Sequence, residues 1–459
     1  FLNESDIDRT YQWFEVKGPA IIIASRFIPG SRFPTYFTAG ALGASFLMFI
    51  IYFGVASIIW TPLLVGLAVL IGQELIGYFT LYQDYALWIV IGTLLGLTFI
   101  FHVIVPLFTY KGRRLWYGKI KRITNWEFWP PYVVYFPVLF SILWRWKNFK
   151  PSVFAAANPG IEFGGFIGES KRAILDKIGS KDQVAIYRFL PNSYNYDSKQ
   201  HAIDKFIHDN GLNYPIVLKP DVGERGRGVH IVKSENELKD VLSKIHGDYL
   251  VQEYADGIEF GIFYYRFPDK KTGNIFSITE KRLLNLTADG KCTIEKLILK
   301  HPRAVCLAEH HFKVHADKLY NVPDKGEKIK LVELGTHARG AIFYDGKEYL
   351  TQNLMTEIDK ISKTFEGFYF GRFDIKVPSI KDLKEGKNLK IVELNGVSSE
   401  ATHIYHPGYS ILNAWKVLIK QWHLAYQIGK KNVDQGHYYP TLREITEIIL
   451  RHFSKRLKK

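Results

Sequence analysis

The hydrophobic rhythm of the chain changes from one part to the next. Residues 41–72 run almost without charge, and residues 85–110 form a second such run. A bilayer-crossing helix takes about 20 apolar residues, so the second run is one span. The first is too long for an untilted span and is expected to begin as a buried re-entrant arm, then continue as a helix over 60–76. The loop between them, 77–84, has no Lys or Arg, whereas Lys111, Arg113, Arg114, Lys119, Lys121 and Arg122 follow the second run. That bias places this end in the cytoplasm. A third apolar stretch, 133–144, carries Pro137, follows Pro130 and Pro131, and is closed by Arg145, Lys147 and Lys150. It is short for a span and its basic, aromatic flanks mark an interface. Residues 111–160 are therefore expected to be a basic linker with a re-entrant or interfacial hairpin.

Beyond residue 160 the rhythm is that of strands and helices. Residues 368–377 and 389–396 alternate, and alternate side chains of a strand share a face. Arg372, Asp374 and Lys376 fall on one face of the first run, and Ile391, Glu393 and Asn395 on one face of the second. If the strands are neighbours, three oxygen donors converge beside a guanidinium, a set that suits Mg²⁺ with nucleotide phosphates better than zinc. Two strands with solvated polar faces are the plainer reading of either pair alone. Upstream, Tyr214-Pro-Ile-Val-Leu-Lys219-Pro runs into Asp221-Val-Gly223-Glu-Arg225-Gly226-Arg-Gly228 and a second strand at 229–232. Strand, glycine loop, strand is the layout of a hairpin whose backbone N–H groups can close over phosphates. It is neither a Walker A loop nor a Rossmann fingerprint. An apolar strand then leads through Gln252-Glu253-Tyr254-Ala255-Asp-Gly257-Ile-Glu259, a linker able to offer backbone groups to an adenine edge, with an acid placed for ribose.

Taken in order, the lysine–glycine hairpin, the Gln-Glu hinge, Gly-Ile-Glu, Arg-Phe-Asp and Glu-Leu-Asn resemble the ATP-grasp superfamily, and within it D-alanine–D-alanine ligase and related carboxylate–amine ligases. The resemblance covers roughly residues 171–429. It implies an α+β ATP-grasp domain over 161–430 that uses ATP and one or two Mg²⁺ ions, or Mn²⁺ in their place. It implies that Lys219 contacts the α/β-phosphates, that Gly223, Arg225, Gly226 and Gly228 belong to the mobile lid, and that Gln252, with the backbone of Glu253 and Ala255, reads adenine. Glu259 would hold ribose, Asp374, Glu393 and Asn395 the metal, and Arg372 the transferring phosphoryl group. Lys281 is a second phosphate candidate, although it and Arg282 also read as strand residues facing water.

The sequence departs from those ligases after the metal strand. In place of Pro-Gly and a serine-bearing loop it has Ser398-Ser399-Glu400-Ala-Thr402-His403-Ile-Tyr405-His406. A second unusual stretch, Gly335-Thr336-His337-Ala-Arg339-Gly340, is small and basic. Ser398, Ser399, Glu400, His403 and His337 are therefore expected at the substrate, with Arg339 on an anionic group. Ordinary packing is the alternative for the histidines, and their spacing gives little support to zinc. Between membrane and enzyme, 158–171 reads as a glycine-rich linker or as a loop whose Lys171 meets an anion.

Ahead of the first apolar run, Arg26-Phe-Ile-Pro29-Gly30-Ser-Arg32, followed by Ala39-Gly40, resembles the DedA family of bacterial membrane proteins. That resemblance, over about residues 1–110, implies a partial DedA-like domain in which Arg26 and Arg32 meet a lipid phosphate, and a role with polyprenyl-phosphate carriers. The chain opens at Phe1 and lacks the family's matching first half, so a fragment of a longer protein is expected. The implied location is the bacterial inner membrane, multi-pass, with the catalytic domain cytoplasmic.

Composition narrows this further. The 459 residues allow two or three domains, and a net charge of +15 calls for an anionic membrane surface or substrate. Nucleic acid would fit the charge, but no helix-turn-helix, zinc module or aromatic-basic sheet signature is present. Cys292 and Cys306 are too few for a disulfide framework. Two amphipathic helices are expected at 409–430 and 442–459, the last a basic C-terminal element within 431–459. Three functions fit: a membrane-tethered ligase joining a carboxylate to an amine through an acyl phosphate, on a cell-envelope or lipid-linked substrate; an ATP-grasp kinase of a hydroxyl; or a lipid-phosphate transporter with a nucleotide-sensing domain.

Overall fold

The structure is a computed structural model describing residues 22–23, 25, 35–36, 39–40, 45–81, 85–145, 151–223, 226–332, 335, 337 and 340–457. It divides into two compact units, Phe1–Val105 and Pro106–Lys459.

In the first unit, α1 (Phe46–Leu81) is one helix of 36 residues that runs through Pro62. The re-entrant arm expected ahead of residue 60 is absent from 46–59. Proline deletes one N–H and crowds one carbonyl, which kinks a helix more often than it ends one when both flanks are apolar and helix-forming. Helix α2 (Ala86–Phe99) continues through a π turn at Ile100–Ile104. The stretches Phe46–Leu70 and Val90–Leu107 are long and apolar enough to cross a membrane, and only 6% and 0% of them is buried within the structure. They are therefore not core helices of this protein. Arg26 and Arg32 lie outside the described residues.

The second unit opens with α3 (Tyr110–Thr124) and α4 (Pro131–Arg145). Here the expectation of a linker with a hairpin fails: residues 131–145 form a single helix. Val134 and Val138 of α4 are buried against Ile404, Ala414 and Leu418, and Trp415 Nε1 donates to Val134 O at 2.9 Å. Tertiary packing on one side supplies what the short apolar run could not disclose. Helix α3 approaches the same unit closely enough that a Cβ on Gly118 would stand 2.4 Å from Val305 O.

Two antiparallel sheets follow. The first has the order β1-β4-β2-β3, from Tyr187–Leu190, Tyr249–Glu253, Ile216–Pro220 and His230–Val232. After α5 (Lys171–Lys177), α6 (Tyr196–Asp209) and α7 (Glu235–Leu242) start at Asn195 and Ser234, whose side chains cap the first turn. They cover this sheet with Ile203, Phe206, Leu238 and Leu242. The second sheet has the order β11-β10-β5-β6-β9, from Lys390–Asn395, Phe370–Val377, Ile258–Tyr265, Asn274–Arg282 and Ile342–Asp345. A small ribbon of β7 (Asn285–Thr287) and β8 (Lys328–Lys330) stands apart.

One face of the five-stranded sheet holds the main core. Phe260, Ile262, Phe373 and Ile375 pack there against Leu354, Ile358 and Ile361 of α8 (Gln352–Lys363). The opposite face changes character along its length. At one end Phe263 and Phe370 are covered by Ala425 and Ile428 of α9 (Ile411–Asp434). At the other end the alternate positions Glu259, Gly261 and Asp374 line a cleft or border it. A final helix, α10 (Leu442–Leu457), follows α9, close to the two helices read from the sequence.

Candidate active site

Strand register brings one row of charge together. Glu259 on β5 pairs with Lys281 on β6, Gly261 pairs with Asp374 on β10, and Asp374 pairs in turn with Glu393 on β11. Arg372 faces Asn395 one step along. Because cross-strand partners share a face, four neighbouring strands present Lys281, Glu259, Asp374, Arg372, Glu393 and Asn395 side by side. The bonds are short: Lys281 Nζ lies 2.8 Å from Glu259 Oε1 and 3.1 Å from Asp374 Oδ1, and Arg372 Nε lies 2.9 Å from Asp374 Oδ1. Gly261 leaves the space for this, since a Cβ there would sit 3.2 Å from Arg372 Cδ and 3.4 Å from Asp374 Oδ1.

Lys281 and Asp374, at the centre of the row, are buried, which alters their electrostatics. Burial works against the Lys281 charge, but Asp374 and Glu259 outweigh it and hold the ammonium above its usual value. Burial likewise opposes the Asp374 carboxylate, yet Arg372 and Lys281 keep it below the ordinary range. Lys281 is thus no solvated strand residue. Arg282 is: half-exposed, it pairs with Glu280 on its own strand.

Alternation alone places Ile391 beside Glu393, and the structure corrects this. The β10–β11 pairing slips between Asp374 and Ile375, so Ile375 pairs with Ile391 and Val392 is the extra residue. Such a bulge reverses the phase of a strand. Ile391 turns into the core, while Glu393 and Asn395 keep the cleft. The bulge also frees Val392 O, which accepts from Lys219 Nζ at 2.8 Å and from Gln252 Nε2 at 3.4 Å.

The four-stranded sheet forms the facing wall. Lys219 is buried, and burial pushes its ammonium down to about 8, against the pull of Glu393. The glycine hairpin follows, with Gly226 and Gly228 at φ of 71° and 69°, the left-handed turn that glycine adopts without strain. A Cβ on Gly223 would stand 2.9 Å from the Pro220 ring. Arg225 lies outside the described residues. Gln252 is buried and donates to backbone carbonyls, bracing β4 against the bulge, while Glu253 accepts from Ile186 N at 2.9 Å and pairs with Lys390 at 3.1 Å. Ala255 lines the cleft beside them. Lys171, read above as linker or anion contact, donates to Gly223 O at 2.7 Å and approaches Glu393 at 3.6 Å.

The donor set can be tested for a metal. Among the described residues no three His, Cys, Asp or Glu side chains converge on one point. Two carboxylates, Asp374 and Glu393, stand beside the Asn395 amide, whose Nδ2 is buried without a hydrogen-bond partner among the described atoms. Two carboxylates and the Asn395 amide oxygen fit Mg²⁺, which takes few protein ligands and completes its shell with phosphate and water, while the unpartnered Nδ2, a donor, suits a phosphate oxygen. They do not fit a closed zinc site.

The other end of the cleft is assembled from distant parts. Glu127 accepts from Arg303 Nη1 at 2.9 Å and meets His337 Nε2 at 2.9 Å, and His337 stacks on Tyr405 with centroids 4.4 Å apart. Burial opposes the Glu127 charge, and His337 and Arg303 together hold its carboxyl below the usual range. Tyr135 of α4 donates to Glu400 Oε1, and Glu400 O accepts from Arg372 Nη1 at 3.0 Å. Ser398 and Ser399 line the cleft, Ser399 Oγ donating to Gly396 O at 2.6 Å. His403 lies off the cleft: the short turn Thr402–Tyr405 directs it toward Tyr409, and burial lowers its pKa. His406 accepts from Asp345 N at 3.1 Å. Thr336 and Arg339 are outside the described residues, but Gly335 of the same loop passes so near Glu259 that a Cβ would meet its carboxylate at 2.7 Å. No local pattern marks Glu127, Tyr135 or Arg303 as site residues; only the fold brings them here.

The whole cleft measures about 1320 Å³, above the roughly 300–1,000 Å³ of a single small-ligand pocket. It has room for a nucleotide and a second substrate.

Residues 180–260, from β1 through the hairpin to the start of β5, match the model of the RimK-like ATP-grasp domain. That segment is similar to the ATP-grasp type. Pyruvate carboxylase from Bacillus subtilis (strain 168) is 33% identical over 87 residues, which are 18% of this chain and 7% of that protein. This chain therefore spans a small part of the length of that curated relative. Among solved structures, the bifunctional glutathione synthetase from Pasteurella multocida is 16% identical, with 55% of this chain and 36% of that chain covered and a TM-score of 0.30. D-alanine–D-alanine ligase from Bacillus anthracis is 16% identical, with 57% and 68% covered and a TM-score of 0.30. VanG D-Ala:D-Ser ligase from Enterococcus faecalis is 14% identical, with 55% and 61% covered and a TM-score of 0.32.

Proposed function

We propose that this chain is a membrane-tethered, ATP- and Mg²⁺-dependent ligase that joins a carboxylate to an amine, on a cell-envelope or lipid-linked substrate. The observation that carries the reading is the charged row on four adjacent strands, set across a cleft from Lys219 and its glycine hairpin. In the first half-reaction a substrate carboxylate oxygen attacks the γ-phosphorus, the bond to the bridging oxygen breaks, and ADP leaves an acyl phosphate. In the second, an amine attacks the acyl carbon, phosphate departs with the bonding pair, and the amine nitrogen gives up a proton.

Each task falls to named residues. Lys219 and the hairpin hold the α/β-phosphates, and the lid excludes water from the hydrolysable intermediate. Gln252, the Glu253 and Ala255 backbone and Glu259 receive adenosine. Arg372 and Lys281 neutralise charge on the transferring phosphoryl group, the preorganised stabilisation on which such transfers depend. Asp374, Glu393 and Asn395 would hold Mg²⁺, which when bound supplies further neutralisation of the phosphates. Glu400, Ser398, Ser399 and His337 form the side that selects the acceptor, and Arg339, outside the described residues, is assigned to its anionic group.

The two apolar helices and the basic residues after them support a place in the bacterial inner membrane, with the catalytic unit on the cytoplasmic side where ATP is available. The DedA-like reading of the first unit, with Arg26 and Arg32 at a lipid phosphate, remains a part of this proposal.

The test is ADP and phosphate release by the full chain in detergent, against panels of carboxylates and amines, with and without membrane extract. Release that requires both a carboxylate and an amine is expected. A phosphorylated hydroxyl with no free phosphate would make the enzyme a kinase, and release indifferent to every addition would contradict the ligase reading.

A further inference from the structure

Helix α4 is apolar on both sides, yet the catalytic unit covers only one of them. Val134 and Val138 are buried, while Tyr132, Phe136, Phe140 and Trp144 are 76%, 70%, 61% and 69% exposed. Four-residue spacing places these rings along one side of a helix, and Leu139, 54% exposed, stands beside them. An apolar stripe of this extent in water requires a cover.

The surrounding charge says which cover fits. Between Asp84 and Glu162 the sequence has one acid, Glu127, and that acid is engaged by Arg303 and His337. In the sequence Lys111, Arg113, Arg114, Lys119, Lys121 and Arg122 precede the stripe and Arg145, Lys147 and Lys150 follow it; of these Lys111 and Arg114 are held by Glu295 and Leu299 O of the catalytic unit. On α3, exposed Lys119 and Arg122 flank the exposed apolar Ile120 and Ile123, and Trp129 Nε1 donates to Ile123 O at 2.6 Å, tying the end of α3 to the start of α4. Aromatic rings amid basic side chains match the headgroup region of an anionic bilayer, which attracts each exposed Lys or Arg. A second copy of the chain would instead bring two basic surfaces together.

We propose that α4 seats the catalytic unit on an anionic bilayer surface, with the acceptor end of the cleft opening at headgroup level. The same helix is a wall of the cleft. Tyr132 belongs both to the exposed stripe and to the cleft lining, and Tyr135, on the inward side, reaches Glu400 and through it Arg372. A molecule entering between Trp129 and Tyr132 arrives from the membrane surface, so the substrate class is one whose reacting group is carried on a lipid headgroup. Only the word acceptor rests on the ligase reading; the seat does not.

The full chain is reconstituted in nanodiscs of phosphatidylglycerol and phosphatidylethanolamine that include a lipid with a nitroxide at headgroup depth. Bimane is attached at Tyr132→Cys, Phe136→Cys or Phe140→Cys, with Lys205→Cys on exposed α6 as reference; Cys292 and Cys306 are buried. Quenching at the three α4 sites at least threefold above that at residue 205 is expected. Quenching equal to the reference overturns the seat, as does a Phe140→Cys cross-link between copies. Replacing phosphatidylglycerol with phosphatidylcholine should at least halve the signal, and an unchanged signal overturns the part given to the basic flanks. Mg·ATP binding is measured on the same samples. Its loss with quenching intact counts against the ligase reading alone, and the reverse counts against the seat alone.

Discussion

The two ends of the cleft are built by different means. At the nucleotide end, Lys281, Glu259, Asp374, Arg372, Glu393 and Asn395 are placed by strand register, each one strand from the next. At the acceptor end, Glu127 meets Arg303 across 176 residues of sequence and Tyr135 meets Glu400 across 265. Strand register therefore fixes the first end, whereas the second exists only when α3, α4 and the turn between them dock on the rest of the unit. Damage at the nucleotide end should abolish chemistry, and damage at the acceptor end should alter what is recognised.

The largest expected effect comes from Asp374 and Glu393, the carboxylates proposed to hold the metal. Glu393→Gln should lower turnover by about 10²–10³-fold, the usual loss for one preorganised charge contact, with a melting curve close to wild type because the Glu393 side chain is 31% exposed. Asp374→Asn should lose turnover at least as severely and also cost about 3–5 kcal/mol of stability. Its side chain is only 6% exposed and neutralises Arg372 and Lys281, so the solvent-open character that pairing alone suggested for this carboxylate does not hold. Steady-state rates beside denaturant unfolding separate the two. Wild-type turnover in either variant would remove the metal assignment.

Next in size is the Lys219 ammonium, whose folded pKa is pushed down to about 8 from 10.5. Between those values the unfolded chain holds a proton that the folded chain has lost. Stability therefore rises with pH across this window, and the lowered group penalises the fold below it. ATP binding has the opposite trend: affinity should fall as pH passes above about 8 and the cation is lost. Lys219→Met should weaken ATP binding and flatten both profiles. Calorimetric titration over pH 7–10 and unfolding over the same range read the two slopes, and a Met variant that keeps both would clear Lys219 of either role.

A smaller and more selective effect is expected from Tyr135→Phe. It removes one donor to a carboxylate, a contact of about 1.5–3 kcal/mol, and leaves every nucleotide contact in place. KM for the acceptor should rise while Mg·ATP affinity stays as it was. If Mg·ATP binding weakens equally, the two ends are one site and the comparison fails.

These same differences explain what could be read in the sequence. The Arg372/Asp374 and Glu393/Asn395 spacings are carried by period-two alternation, and the glycine hairpin and Glu259 by short contiguous motifs. The bulge at Val392 was not legible, because an extra strand residue leaves no mark until its partner strand is known; it turned Ile391 into the core and gave Lys219 its carbonyl. Helix α4 reads as an interfacial hairpin because its proline-flanked apolar run is short, and only its contacts with Ile404 and Leu418 show a docked helix. His403 resembles a substrate residue by neighbourhood alone, since a single 3₁₀ turn decides that it packs on Tyr409.

The most direct measurement of the central claim is calorimetry of Mg·ATP with the full chain in detergent, repeated with Glu393→Gln and with ATP plus a chelator. One nucleotide per chain should bind, with affinity falling at least tenfold when Glu393 is changed or the metal is withheld. Binding that is absent, or that is indifferent to both the metal and Glu393, would contradict the assignment of this cleft.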